Sequence, residues 1–569
     1  MSEKEKNRSN KKDQDDFLAR RMPTGIKGLD HLLSGGINRT NSLLIEGPPG
    51  SGKSTIAIQI LHHGAKMYGE PGILVAFEEF PNQIYQEYAD YGFDLAQLEK
   101  ENRIRVIWTE PRKVVEGLSG KDDLIGRIIE DMGAKRLVID SISHFKRVAN
   151  KESELREILH KILNNLKMKD VNAILVKEVD SGAEGTFSFE EYAVDASIRL
   201  VNRPSVSTGE NERAIQIRKT RGQKHISGVH PFEFQPDGIQ VYPHLRPCDI
   251  ESLLPQREIP REKNPTGIPG LDSLIGGGFG TASLNMVVGY SGTGKTTLAR
   301  HFLLNHLMRG KRVFHLSFQE REECFLRASE SLGIDLRPYR KNDQFDYRYT
   351  SAVGLIPEKL IQELTLRILR NKYDCIVIDS VNDLRIAISD PERLREMMHL
   401  LVLLLRRAGI TTLALNESTE ISGMIPLSEL DFAYLADSVI QLSLAQIDGK
   451  IHRFLAVMKM ALTDHSKDLH EFHITSSGMQ VRSKATGLSG ILTGQTAGRF
   501  EAVAEQVLDP LTQSTQALGE VLDSRELSDI DRKKVISARE KLGIADIVLR
   551  EHFGLTDLSA FVREMAEEK

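Results

Sequence analysis

Two stretches carry residues whose types and spacing could do chemistry. Gly47-Pro48-Pro49-Gly50-Ser51-Gly52-Lys53-Ser54-Thr55 and Gly289-Tyr290-Ser291-Gly292-Thr293-Gly294-Lys295-Thr296-Thr297 both satisfy G-x-x-x-x-G-K-[ST]. In that pattern glycines let successive backbone N–H groups turn inward on phosphate oxygens, and the lysine reaches the β/γ-phosphates. The hydroxyl after the lysine can hold Mg²⁺. Gly47, Gly50, Ser51, Gly52, Lys53, Ser54 and Thr55 are therefore candidate nucleotide ligands in the first copy. Gly289, Ser291, Gly292, Thr293, Gly294, Lys295, Thr296 and Thr297 are their counterparts, with Ser54 and Thr296 also candidate metal ligands. A bare Gly-rich turn can match the spacing, so context decides. Each loop follows an apolar strand-like run (Ser42–Glu46, Leu284–Val288) and precedes a helical one such as Ile56–Met67, the setting that a phosphate loop requires. The chain is expected to bind nucleoside triphosphate.

Further carboxylates could complete such a site. Asp140 and Asp379 each end a short apolar run, where a Walker-B aspartate holds Mg²⁺ through water. A strand-ending acid that merely caps the next turn is the plainer alternative. Neither is followed by Glu, so a base for hydrolysis must come from elsewhere. Glu78-Glu79 ends the run Ile73–Phe77 and could orient water on the γ-phosphate, although paired acids also suit a solvated turn. In the second copy the pair is Gln319-Glu320. Gln319 can position water but cannot take its proton, which leaves Glu320 as the candidate base. Lys219 and Arg221 follow the apolar stretch Ala214–Ile217. From there they suit a neighbouring subunit's triphosphate better than their own loop, if they are more than surface charges. The second copy keeps Lys459 but has Ala461 in place of Arg221.

The elements that must position these groups also come twice. Pro23-Thr24-Gly25-Ile26-Lys27-Gly28-Leu29-Asp30 recurs as Pro265-Thr266-Gly267-Ile268-Pro269-Gly270-Leu271-Asp272, and Lys219 and His225 recur as Lys459 and His465. Near-continuous apolar runs at Ile73–Phe77, Ile104–Trp108, Leu137–Asp140 and Ala173–Val176 alternate with helical periodicity. That alternation predicts an α/β fold with a mostly parallel sheet covered by helices on both faces, and nucleotide at the carboxyl ends of the strands. The expected organisation is a disordered tail at 1–16, domains at 17–246 and 262–483, a linker at 247–261 and a helical extension at 484–569. The linker reading rests on Pro247, Pro255 and Pro260.

The chain has 569 residues, 40% hydrophobic and 27% charged, the composition of a soluble protein of several domains. A net charge of -5 argues against a broadly basic nucleic-acid surface. Three well-separated cysteines show no metal spacing and suit a reducing cytoplasm. The apolar run Leu400–Leu405 is too short to span a bilayer. The N-terminus has no secretory pattern.

The duplicated TGI-x-GLD and GKST/GKTT blocks, the Phe-Glu-Glu pair, the Ile-Asp-Ser strands and the Lys-x-Arg-Gly-x-x-His segment together resemble the KaiC family of double-domain RecA-like ATPases, over roughly 17–483. The resemblance implies a homo-hexameric ring of two tiers with ATP and Mg²⁺ bound between subunits. It also implies slow hydrolysis in the first tier by Glu78 and Glu79, with Lys219, Arg221 and His225 supplied by the neighbour. Lys459 and His465 are the second-tier counterparts. The clock members also phosphorylate themselves in the second tier on an adjacent Ser–Thr pair, and here those positions are Ala433-Tyr434, with Ser428 nearby. The second domain is therefore expected to bind ATP while being a weak or inactive Ser/Thr autokinase. A RecA/RadA-like DNA-handling ATPase and a non-catalytic nucleotide-gated scaffold are the competing readings. Ile544, Ile547, Val548 and Phe553 in the extension could dock a partner protein, although such periodicity more often marks packing.

Overall fold

The computed structural model describes residues 20–119, 124–149, 151–179, 188–204, 211–254, 262–388, 390–418, 432–447, 450–461 and 463–484. The expected tail, Ser428 and residues 485–569 of the expected extension lie outside them. Two compact units result. The first runs to Glu258 and takes in Tyr349–Tyr373 and Asn382–Gly409, while Ile259–Arg348, Asp374–Val381 and the residues from Ile410 onward form the second.

In the first unit β1 (Leu43–Gly47), β2 (Gly72–Ala76), β3 (Ile104–Trp108), β4 (Arg136–Asp140), β5 (Asn172–Glu178), β6 (Ala196–Pro204), β7 (Asn211–Thr220), β8 (Val229–Gln235) and β9 (Gly238–Val241) form one nine-stranded sheet. Their spatial order is β3-β2-β4-β5-β1-β6-β7-β8-β9. From β3 to β6 the pairing is parallel, and from β6 to β9 it is antiparallel. Successive residues of a strand face opposite sides. Leu43, Ile45, Leu74, Val138 and Ile174 accordingly join one core cluster, while Leu44, Ile73, Val75, Leu137 and Ile139 join another. Burial on both faces is why these strands read as unbroken apolar runs.

The second unit repeats the plan with β10 (Leu284–Gly289), β11 (Val313–Ser317), β12 (Phe345–Tyr349), β13 (Cys375–Asp379), β14 (Thr411–Glu417), β15 (Ser438–Ile447), β16 (Lys450–Met460), β17 (His470–Thr475) and β18 (Gly478–Lys484). The order is β12-β11-β13-β14-β10-β15-β16-β17-β18, the first order with every strand replaced by its repeat. The antiparallel strands β7–β9 and β16–β18 extend each sheet beyond what the parallel pattern in the sequence predicts.

These extensions brace the phosphate loops. Helix α1 (Lys53–Tyr68) follows the first loop and α2 (Lys295–Met308) the second. The Gln59 amide donates to the Ile239 carbonyl at 3.2 Å and accepts from the Ile239 N–H at 2.8 Å, tying α1 to β9. In the second unit His301 stands at the matching place and accepts from the Met479 N–H at 2.9 Å. The duplicated N-terminal block is a clamp: Asp30 accepts from the Thr24 N–H and hydroxyl, both at 2.7 Å, and from the Gly25 N–H at 2.9 Å. Asp272 does the same for Thr266 and Gly267. Gly25, with φ +73, lies so close to α1 that an added Cβ would come within 2.7 Å of His63 Cβ.

The expected linker at 247–261 begins as a helix, Pro247–Leu253. Pro247 at its first position suits a helix start, and Asp249 accepts from the Arg246 N–H at 2.9 Å. Among the described residues no helix is long and apolar enough to cross a membrane.

The buried brace gives a stability expectation. Gln59→Ala leaves both the N–H and the carbonyl of Ile239 unpaired and should cost about 2 kcal/mol or more. Chemical denaturation measures the change, and a loss within noise would show that the brace is dispensable.

Candidate functional site

Each phosphate loop leaves the carboxyl end of a central strand, β1 or β10, and enters its helix through a glycine in the left-handed region. Gly52 has φ 93 and Gly294 φ 108. A side chain at either would be strained there and would also collide with the antiparallel extension. A Cβ on Gly52 would lie 2.9 Å from Phe234 Cζ, and one on Gly294 2.7 Å from Ile474 Cδ1. The lysines are folded onto their own loops. Lys53 Nζ donates to the Pro48 carbonyl at 2.9 Å, and Lys295 Nζ to those of Gly289 and Tyr290 at 2.8 and 2.9 Å. Burial pushes both ammonium groups below their ordinary range, opposed in the first copy by Glu178 and Asp140 and in the second by Glu417 and Asp379.

Strand pairing brings the predicted carboxylates to this end. Ala76 at the end of β2 pairs with Asp140 at the end of β4, so Glu78 and Glu79 emerge beside Asp140. The Ser54 hydroxyl hydrogen-bonds Asp140, and the Thr296 hydroxyl donates to Asp379 Oδ2 at 3.1 Å. Burial raises the Asp140 carboxyl above its ordinary value, against the opposing pull of Ser54 and Lys53. A hydroxyl facing a carboxylate beside a phosphate cradle is an all-oxygen donor set, and it fits a hard divalent cation such as Mg²⁺. The peptide bond after each aspartate is cis.

The paired acids differ between copies. Glu78 meets His144 Nε2 at 3.2 Å. Glu79 is pushed above the usual carboxylate range by partial burial and by Glu87, Asp140 and Glu78. Glu320 instead forms an ion pair with Arg300 at 3.2 Å.

Lys219, Arg221 and His225 do not join this group. Lys219 pairs with Ser197, which pairs with Leu44, three residues before Gly47 along β1. That puts Lys219 roughly 10 Å short of the loop's start, toward the opposite end of the sheet. Lys219 Nζ donates to the carbonyls of Glu191 and Val194, both at 2.7 Å, and Arg221 to that of Tyr192 at 2.8 Å. His225 Nδ1 is 2.8 Å from the Thr220 hydroxyl. Lys459 repeats the placement: it pairs with Val439 beside Met286 and donates to the Ala436 carbonyl at 2.6 Å. His465 follows in the same loop, where its N–H donates to Asp464. Ala433 is buried and Tyr434 is 54% exposed on the turn that Lys459 holds.

Sequence reasoning missed two acids. Glu178 ends β5 in register with Gly47, and Glu417 ends β14 in register with Gly289. Their only sequence signal is that each is an acid closing a repeated apolar strand.

A phosphate cradle at the carboxyl end of a parallel sheet, built twice in one chain, makes this a tandem RecA-like P-loop ATPase. Residues 22–246 and 264–486 each match the KaiC ATPase family, and the chain belongs to it. It is 29% identical over 493 residues to the circadian clock protein KaiC2 of Synechocystis sp., covering 83% of each chain. It is 28% identical over 508 residues to the circadian clock oscillator protein KaiC of Parathermosynechococcus lividus, covering 87% of this chain and 92% of that one.

Asp140→Asn removes the charge opposite Ser54 while keeping shape. It should raise the Mg²⁺ concentration needed for half-maximal ATP binding by roughly 10–100-fold, read by titrating a fluorescent ATP analogue. An unchanged Mg²⁺ requirement would take Asp140 out of the metal site.

Proposed function

We propose that the chain assembles into a nucleotide-dependent homo-hexameric ring that hydrolyses ATP in its first domain and holds it in its second. The observation that carries this reading is the split placement of charge. Lys53, Ser54, Asp140, Glu78 and Glu79 gather at one end of the sheet, while Lys219, Arg221 and His225 sit toward the other. Cations so placed cannot neutralise their own chain's triphosphate. They suit the triphosphate of an adjoining copy, and that makes the site a shared one.

In the first domain the loop N–H groups and Lys53 hold the phosphates. Ser54 and Asp140 would hold Mg²⁺, which would supply positive charge to offset that of the phosphates. Glu79, assisted by Glu78, accepts the proton of the attacking water. The water oxygen bonds to the γ-phosphorus, and the bond to the β–γ bridging oxygen breaks. A carboxylate pushed above its ordinary range is a stronger base for this step. Nucleotide state then governs assembly and the binding of a protein partner, for which residues 484–569 are the candidate surface.

The second domain keeps the loop through Lys295 and Thr296, with Asp379. Its autokinase acceptors are gone: Ala433 has no hydroxyl, and Tyr434 carries its oxygen several ångströms farther out. Autophosphorylation there is weak or absent.

Glu78→Gln/Glu79→Gln should lower phosphate release by roughly 100-fold or more while ATP binding and ring mass by mass photometry persist. Unchanged release would remove these residues from catalysis, and a monomer that hydrolyses at full rate in saturating Mg-ATP would end the shared-site reading. After incubation with ATP, phosphoprotein mass spectrometry should find no stoichiometric phosphate on Tyr434 or Ser428. Phosphate there that is absent from Lys295→Ala would reverse the kinase reading.

A further inference from the structure

The two copies differ most sharply around the second acid of the water-activating pair. Arg300 stands five residues after Lys295, and Ile58 stands five after Lys53. Arg300 is almost fully buried. It donates from Nη2 to Glu320 Oε2 at 3.2 Å, and its guanidinium lies 4.8 Å from the Phe325 ring centroid. Among the described residues its Nε has no hydrogen-bond partner. It also lies within electrostatic reach of Asp379.

The rest of the surround is built to match. Tyr347 donates its hydroxyl to the Glu320 carbonyl at 2.7 Å, and the Ser317 hydroxyl accepts from the Glu320 N–H at 3.0 Å. His315, fully buried, stacks on Tyr347 with ring centroids 5.0 Å apart. At the equivalent strand positions the first copy has Ala76 for Ser317, Leu74 for His315 and Val106 for Tyr347, all buried apolar core like Ile58. At three apolar positions of the first copy the second therefore has a polar side chain bonded to Glu320, and at the fourth His315 backs Tyr347 by ring stacking, neither ring nitrogen finding a hydrogen-bond partner among the described residues. Side chain, N–H and carbonyl of Glu320 are thereby all fastened. Glu79 has carboxylates around it instead.

We propose that Arg300 is a resident restraint that silences hydrolysis at the second nucleotide site, by pairing with Glu320 and keeping that carboxylate from accepting the proton of the attacking water. A base must be free, correctly placed and anionic toward water. An arginine held at its oxygen in a buried setting satisfies its charge and fixes its rotamer. The second site then retains ATP as a bound ligand. This inference rests on Glu320 being that site's water-activating group, as proposed above. Arg300 is a positioning residue here, and the opposite role, a cation in cis that assists the transition state, is the alternative that the experiment separates.

The test uses the full chain carrying Glu78→Gln/Glu79→Gln. Second-site hydrolysis is defined as the phosphate release that Glu320→Gln removes, so a failure of the first-site reading shows up separately as release insensitive to Glu320. With Arg300 intact, nucleotide extracted after incubation should be ATP at two equivalents per chain, the disabled first site supplying one and the silent second site the other. R300M, which keeps bulk and loses charge, should raise Glu320-dependent release on the order of 100-fold and convert that equivalent to ADP. R300K, which keeps the charge, should stay silent. The proposal is overturned if the intact-Arg300 chain yields an equivalent of ADP whose formation Glu320→Gln abolishes, or if R300M, with its melting temperature and two bound nucleotides retained, releases phosphate no faster. A fall in release would assign Arg300 to transition-state support instead. Because the extraction from the intact-Arg300 chain needs no substitution at 300, the proposal stays falsifiable even if R300M does not fold.

Discussion

A triphosphate must be met by backbone N–H groups pointing one way, and only a left-handed turn at the helix entrance aims them so. Gly52 and Gly294 supply that turn, and everything around them keeps it in place. Phe234 and Ile239 close over Gly52, while Ile474 and Met479 close over Gly294, so the last strands of each sheet form the wall against which the loop is set. The antiparallel extension is therefore more than added sheet. It makes the glycine obligatory twice, once through φ and once through space. Gln59 and His301 then fasten helix to wall from the other side.

Duplication lets each copy serve as the reference for the other. Loops, clamps at Asp30 and Asp272, sheet order and the hydroxyl–carboxylate pairs are retained in both. Those are the features that build and brace the two candidate phosphate sites. Several of the differences fall near the acids proposed to activate water: Gln319 for Glu78, Arg300 for Ile58, and the polar set on β11 and β12. Changes there that leave the phosphate loop intact are the pattern expected of a domain kept for holding its ligand, as proposed.

How much of this was legible in the sequence follows from how local each signal is. The phosphate loops are contiguous motifs, and the strands before Asp140 and Asp379 are runs of apolar residues, so their positions could be read locally. The hairpin of β8 and β9 was not read from the sequence. That its strands join the edge of the sheet and cover Gly52 depends on long-range pairing of β7 with β8, which no local pattern encodes. The helix at Pro247–Leu253 was hidden by the same proline that starts it, because proline marks linkers and helix beginnings alike. Arg300 and Glu320 lie 20 residues apart, and their meeting requires α2 and β11 to be neighbours. Glu178 and Glu417 became visible only when register put them level with the loops.

The Lys219 ammonium is held by backbone carbonyls at two equal distances of 2.7 Å, and burial pushes it below its ordinary range, the more so for having Arg221 beside it. Two cations kept close together repel, and the carbonyl dipoles, with Asp195 and Glu191 nearby, offset that repulsion. The strand register places these cations away from the chain's own phosphate loop. On the proposed reading, assembly would bring a neighbouring copy's triphosphate to these cations, and nucleotide and assembly would then stabilise each other by linkage, whatever the rate of hydrolysis.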